Sequence, residues 1–368
     1  MSRNLKEDLG IIVMNNCKEF GCKINDNLKL EREKKDGFII PIEEIRFSNG
    51  EGKVVIDDSV RDKDLYILSD VGNHSMTYKM FGYDNHMGPD EHYQDIKRVI
   101  SAVRGQATRM TLVMPLLYES RQHRRKGRES LDCALALQEL QNLGVDTMVT
   151  FDVHDPNIQN AVPTSLSFEN FYPTNKILND FIKNEEFDAE NVIFISPDTG
   201  AMDRAKYYAN MFQSDVGLFY KRRDLSKIID GKNPIMEHEY LGRDLQGKTA
   251  IVVDDMIASG GSMLEVASEL KNRGVNKVFL ISTFSMFTNG VESFNKAYEK
   301  GLFDSLYSTN LSYVDKDIIK KDWFKSIDCS TYASDIISTL NEGGSISELK
   351  NGKQKILNML QKKKKGEL

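Results

Sequence analysis

Residues 248–274 read "KTAIVVDDMIASGGSMLEVASELKNRG", and this stretch decides the fold. An apolar run, 251–253, drives straight into two adjacent carboxylates, Asp254 and Asp255. A Gly260-Gly261 pair follows, and then Met263, Val266, Ala267 and Leu270 recur at i, i+3, i+4 and i+7, one face of a helix that Gly274 stops. In an open parallel sheet, ligands bind beyond the carboxyl ends of the strands. The loop 258–262, "ASGGS", is expected at a helix N-terminus, where unpaired N–H groups and the positive dipole end attract phosphate. Gly260 and Gly261 let the backbone approach closely, and Ser259 and Ser262 add hydroxyl donors. One loop away, the two carboxylates suit the vicinal hydroxyls of a ribose, or a divalent metal. The pattern describes a site for a phosphorylated sugar.

The same alternation extends over most of the chain. The runs 10–14, 64–70, 110–116, 146–153, 191–198, 216–222, 249–255 and 277–283 read as strands. Helical patterns lie between several of them, as at 130–144 and 262–274. Continuous apolar strands separated by helices predict an α/β protein with mostly parallel sheets flanked by helices. The pattern occurs twice and breaks near "VPTSLSFENFYPT", 162–174. The expected organisation is an N-terminal domain over 1–168, a second over 169–337, and a C-terminal helix and basic tail over 338–368. The closing "QKKKKGEL" reads as a frayed, solvated tail.

At 368 residues, 40% hydrophobic and 28% charged, the chain has the balance of a soluble globular protein of two domains. A formal charge of −6 argues against broad binding to nucleic acid or anionic lipid. Four scattered cysteines without a CxxC pair fit reduced thiols in a cytoplasm. No window approaches the roughly 20 apolar residues of a membrane helix. The polar stretch 70–95 holds His74, His86 and His92, whose spacing fits no compact ligand set, so it reads as a loop with incidental histidines.

"VVDDMIASGGS" resembles the phosphoribosyl pyrophosphate (PRPP) motif of type I phosphoribosyltransferases and, more closely, that of ribose-phosphate pyrophosphokinases. Further stretches match the latter family in order. "RFSNGE", 46–51, resembles its nucleotide segment, which implies that Phe47 stacks on adenine and that Asn49 and Glu51 hydrogen-bond the base or its ribose. "YESRQHRR", 118–125, implies that Arg121, Gln122 and Arg124 bind nucleotide, with His123 where the family has aspartate. "TFDVHDPNIQNAV", 150–162, resembles a family segment that implies His154 as a magnesium ligand, and "ISPDTGAMDRAK", 195–206, resembles one that implies Asp198 helps bind a second metal. "YKRRDLSK", 220–227, resembles the mobile catalytic loop, with Lys221 the catalytic lysine and Arg223 the arginine that holds the polyphosphate. "STLNEGGSISELK", 338–350, resembles the family's closing segment.

The resemblance implies two phosphoribosyltransferase-like domains, Mg2+ as cofactor, and ATP and ribose 5-phosphate as substrates. It implies transfer of a pyrophosphoryl group to the anomeric hydroxyl, by a cytoplasmic homo-oligomer, a hexamer of dimers. Asp254, Asp255, Ala258, Ser259, Gly260, Gly261, Ser262 and Arg223 would hold the sugar phosphate. Like His123, Asn49 and Ala258 stand where the family pattern has aspartate. The stretch 70–95 is also longer than the corresponding family loop. Two other readings stay open, a non-catalytic regulatory paralogue and a PRPP-using phosphoribosyltransferase. Against the first stand Lys221, Arg223, His154 and Asp198; against the second stands the nucleotide-like first half.

Overall fold

The computed structural model describes residues 8–162, 164–223 and 235–368, with side chains omitted over 221–238. The chain forms two compact units. The first comprises 1–173 with 310–313 and 328–350, and the second comprises 174–309, 314–327 and 351–368.

The strands of the first unit are β1 (Leu9–Val13), β2 (Ile42–Arg46), β3 (Gly52–Ile56), β4 (Asp64–Leu68), β5 (Thr77–Met80), β6 (Tyr83–His86), β7 (Arg109–Val113), β8 (Thr147–Phe151) and β9 (Ser167–Phe171). Its sheet has the order β1-β4-β7-β8-β9, and every pairing is parallel. The central strands bury both faces, as their unbroken apolar runs require: Leu65, Ile67, Leu112 and Met148 are fully enclosed. Helices α1 (Lys18–Glu31), α2 (Pro89–Val103) and α3 (Asp132–Asn142) connect these strands. Two antiparallel pairs stand apart from the sheet, β2 with β3 and β5 with β6.

The second unit holds α4 (Thr174–Asn184), β10 (Val192–Ser196), α5 (Met202–Phe212), β11 (Asp215–Arg223), β12 (Ile235–Leu241), β13 (Thr249–Ile257), α6 (Gly261–Asn272), β14 (Lys277–Ser285), α7 (Glu292–Glu299), β15 (Ser305–Thr309), α8 (Lys316–Ile319) and β16 (Phe324–Ile327). Its sheet runs β12-β11-β10-β13-β14-β15-β16, parallel except for the edge pair β11–β12. The chain builds outward from β10 to one side and from β13 to the other. The crevice between β10 and β13 is therefore the topological switch point, where open α/β sheets bind ligands.

The chain then returns to the first unit with α9 (Ser330–Asn341) and α10 (Ser347–Lys350), and closes on the second with α11 (Lys353–Lys364). The basic tail, 361–368, is solvated as expected, but its first part is not frayed: 361–364 continue α11. Ile356, Met359 and Leu360 are buried just before it, Lys363 lies over the Phe187 ring, and Lys364 bonds Glu190. An apolar i, i+3, i+4 triplet precedes the lysines and holds them in a helix.

Candidate active site

In the second unit, β13 delivers Asp254 and Asp255 at its carboxyl end, and α6 begins six residues after Asp255. Met263, Val266, Ala267 and Leu270 of α6 are the buried face the periodicity predicts. Gly260 caps α6 in the left-handed region, at φ 79°. A Cβ there would stand 2.2 Å from the Cζ of Phe294, a fully buried ring stacked on Trp323 at 5.7 Å. Gly261 differs: its missing Cβ would meet nothing nearer than the Ser259 hydroxyl at 4.0 Å. The loop is tied from behind, the amide of Met286 donating to the Ile257 carbonyl at 2.8 Å and that of Thr288 to the Ala258 carbonyl at 2.9 Å. The amides of Ser259, Gly260 and Gly261 donate to no described residue. The result is an open cradle of donors at a helix N-terminus, rigid beneath and clear above, which suits phosphate.

The acid pair is held by a residue that the motif reading did not single out. Arg204 of α5 is nearly buried and places Nη1 3.8 Å from carboxylate oxygens of both Asp254 and Asp255. Burial first, and then the adjacent Asp255, push the Asp254 carboxyl well above the usual carboxylate range, while Arg204 pulls it back. A cation in the first turn of a helix opposes the dipole. An arginine two residues into α5 was thus a readable sign that an acidic partner lies nearby. Asp198, at the end of β10, accepts from the amides of Gly200 and Ala201 through Oδ1, at 2.8 and 3.1 Å. The backbone of Lys221 and Arg223 continues β11, with a register shift between Arg222 and Arg223. Their side chains, and 224–227 of the expected catalytic loop, lie outside the described residues.

In the first unit, residues 47–51 form the tight turn between β2 and β3. Phe47 and Glu51 are bonded across it, Gly50 takes φ 92°, and Phe47 stays 46% exposed. The Asn49 amide donates to Glu51 at 2.9 Å, so the two act as one polar pair. Arg46 fixes the turn from below, paired with Asp95 and donating to the Gly50 carbonyl.

The loop after β7 presents Arg121, Arg124, Arg125, Lys126 and Arg128 exposed, none within ion-pair distance of a described acid. Gln122 is bonded back to the Ser130 carbonyl at 2.8 Å. The structure joins this loop to the segment after β8. His123 Nε2 lies 3.0 Å from Asp155, and its ring centroid is 5.5 Å from that of His154. Burial alone would raise the Asp155 carboxyl, but the Asn157 amide and His123 hold it below its ordinary value. His123, standing where the resembled segment has aspartate, is thus engaged by an acid from the next segment.

The stretch 70–95 is not a plain loop: it holds the β5–β6 hairpin and the start of α2. The rings of two of its three histidines are hydrogen-bonded into place. Nε2 of His92 donates to the Asn73 carbonyl at 2.8 Å, and burial lowers its pKa; Nδ1 of His86 lies 3.1 Å from the His74 carbonyl.

Among the described residues no cluster of three or more His, Cys, Asp or Glu is poised around a metal. Magnesium, however, is usually held by one or two carboxylates together with substrate phosphates and water. Asp198 fits that use, since Oδ2 receives no hydrogen bond from a described residue.

A parallel sheet carrying an acid pair and a glycine cradle at its switch point defines a phosphoribosyltransferase-type protein, and residues 174–305 match the phosphoribosyl transferase domain. Residues 9–144 match the N-terminal domain of ribose phosphate pyrophosphokinase. Ribose-phosphate pyrophosphokinase B of Dictyostelium discoideum is 30% identical over 251 residues, 66% of this chain and 71% of that protein. Ribose-phosphate pyrophosphokinase A of the same organism is 26% identical over 341 residues, 92% of this chain and 96% of that one. In fold, the chain resembles the phosphoribosylpyrophosphate synthetase of Mycobacterium smegmatis, with a TM-score of 0.75 at 20% identity over 92% of this chain and 100% of that one. The chain belongs to the ribose-phosphate pyrophosphokinase family. No helix among the described residues is long and apolar enough to cross a membrane.

Proposed function

We propose that the protein is a ribose-phosphate diphosphokinase that makes PRPP and AMP from ATP and ribose 5-phosphate. The anomeric oxygen of the sugar attacks the β-phosphorus and the bond to the α–β bridging oxygen breaks. That oxygen leaves with AMP, and the hydroxyl proton passes to solvent. Little covalent work falls to a protein in phosphoryl transfer; positioning and charge neutralisation carry the rate.

The observation that carries this reading is the cradle at 258–262 beside an acid pair, in a chain whose first half matches the pyrophosphokinase N-terminal domain. In it, Ser259, Gly260, Gly261 and Ser262 grip the 5-phosphate, and Asp254 and Asp255 accept from the ribose hydroxyls. Phe47, Asn49, Glu51, Arg121, Gln122 and Arg124 seat the nucleotide. Lys221 and Arg223 neutralise the transferring group, and removing either lowers the rate on the order of 10³-fold. Mg2+ at His154 and a second metal at Asp198, each completed by phosphate oxygens and water, would supply further charge neutralisation. The enzyme acts in the cytoplasm as a homo-oligomer, a hexamer of dimers, which sedimentation of the purified chain checks.

Incubation with MgATP and ribose 5-phosphate, followed by chromatography, should yield AMP and PRPP in equal amounts. One feature favours a second reading: Ala258 leaves the cradle without the carboxylate of the family pattern. Absence of product from the wild type, with AMP formation restored in Ala258→Asp, would identify a non-catalytic regulatory paralogue. Consumption of PRPP with a nucleobase, without any use of ATP, would identify a phosphoribosyltransferase instead.

A further inference from the structure

The basic loop after β7 is fastened by one side chain. Its other bonds close on the loop itself. The Gln122 amide donates to the Glu119 carbonyl at 2.8 Å, its side chain to the Ser130 carbonyl, and the Lys126 amide to the Glu129 carboxylate at 3.0 Å. Among the described residues, the one polar contact that ties 121–129 to a segment beyond 119–130 belongs to His123. That ring is turned inward between the exposed Arg121 and Arg124, and its side chain is only 10% exposed. Nδ1 lies 3.2 Å from the carbonyl of buried Ser120, at the root of the loop, and Nε2 lies 3.0 Å from Oδ2 of Asp155. The ring also packs against His154, tilted by 59°.

The segment that receives the ring is itself well anchored. Asp152, just after β8, is buried in the left-handed region at φ 41°, and its amide donates to the Phe171 carbonyl at 2.8 Å. Oδ1 of Asp155 caps the turn Pro156–Ala161, accepting from both nitrogens of Asn157 at 2.9 Å, and Ile158 of that turn is buried. The other oxygen, Oδ2, faces His123. An aspartate at 123, as in the resembled segment, would set two carboxylates against each other. The histidine at 123 and the acid at 155 therefore belong together.

We infer that His123 and Asp155 latch the basic loop to the segment after β8, which makes His123 a positioning residue for the nucleotide phosphates. The inference deepens the reading of Arg121, Gln122 and Arg124 as nucleotide ligands and rests on it. A free loop loses conformational entropy when it closes on a ligand, and a latched one has lost much of it beforehand. The latch thus raises affinity without touching the nucleotide, and it keeps Arg121 and Arg124 in register with His154.

Two measurements test it. Trypsin cuts after Arg and Lys, so the loop carries its own reporters at Arg121, Arg124, Arg125, Lys126 and Arg128. Cleavage at these sites, mapped by mass, should be on the order of 10-fold faster in His123→Ala than in the wild type, with sites elsewhere unchanged. The second measurement is calorimetric titration of the full chain with Mg2+ and α,β-methylene ATP, an analogue whose scissile bond cannot break. His123→Ala should bind it on the order of 10-fold more weakly, with ribose 5-phosphate affinity unchanged. His123→Gln, whose amide nitrogen can take the place of Nε2, should recover most of both properties. In an Asp155→Ala background the His123→Ala change should add nothing, because the pair acts as a unit. Unchanged cleavage, or faster cleavage at unchanged nucleotide affinity, overturns the latch and leaves the functional reading intact. An equal loss of ribose 5-phosphate binding also overturns it, since the effect would then not be confined to the loop. No nucleotide binding by the wild type overturns the functional reading and the latch with it.

Discussion

Two neighbouring glycines separate binding from folding. Gly260→Ala forces a side chain into the left-handed region and drives its Cβ to 2.2 Å from Phe294. The left-handed conformation costs about 1–2 kcal/mol in a non-glycine residue. Overpacking a core adds about 1–3 kcal/mol, since Phe294 is wedged between Phe287 and Trp323 and has no room to yield. The sum, about 2–5 kcal/mol, corresponds to a fall of roughly 5–20 °C in melting temperature at ~2–4 °C per kcal/mol. Gly261→Ala meets nothing within van der Waals range and has no left-handed backbone to satisfy. It should leave stability within about 1 kcal/mol, with a slight gain from reduced chain entropy. Its methyl group, however, stands in the space where the phosphate is proposed to sit. Loss of one charge-assisted hydrogen bond costs about 1.5–3 kcal/mol, so ribose 5-phosphate should bind roughly 10- to 150-fold more weakly. Differential scanning calorimetry and ligand titration of both variants read the contrast. Wild-type affinity in Gly261→Ala would refute the placement of the phosphate, and an unshifted melting temperature in Gly260→Ala would refute the packing argument.

Three further outcomes follow. Arg204→Ala leaves two carboxylates without their shared cation and should destabilise the second unit by about 1–3 kcal/mol, read by urea unfolding. Because the folded pKa of Asp254 is raised, its contribution is fullest below the unfolded value and is lost as pH rises through the folded one, so the deficit of the variant should widen with pH. Asp70 is buried, which lifts its carboxyl to about 6 despite bonds from Ser312, Tyr313 and Gly72. Its stabilisation should likewise fade as pH climbs from about 4 past 6, by up to ~3 kcal/mol. Asp70→Asn should flatten that slope, which unfolding midpoints across the pH range will show. Ala258→Asp restores the acid of the family pattern and should tighten ribose 5-phosphate binding by about tenfold or more in titration.

The parts of the fold written locally were readable. Buried parallel strands need continuous apolar runs, and the segments around Leu65, Leu112, Ile193 and Val252 supply them, so the α/β class with parallel sheets was visible without coordinates. The helix after the glycines was equally plain, because Met263, Val266, Ala267 and Leu270 keep a 3.6-residue period. What escaped the reading depends on contacts between distant segments. The β5–β6 hairpin alternates Tyr78 and Met80 with Thr77 and Lys79, but four residues are too short a pattern to outweigh the polar composition around them. Its face is fixed by Arg46 and Gly50, some thirty residues earlier. The pairing of His123 with Asp155 joins loops after two different strands, and no local spacing encodes it. Arg204 left a trace, a cation at the wrong end of a helix, but its partners lie fifty residues on.

The central claim is that a chain with this cradle and this first unit binds a nucleotide and a sugar phosphate together. Calorimetric titration of ribose 5-phosphate into the purified chain, with Mg2+ and α,β-methylene ATP present, tests it most directly. The account predicts saturable binding at one site per chain, weakened roughly 10- to 150-fold in Gly261→Ala; no heat from either ligand in the wild type would contradict it.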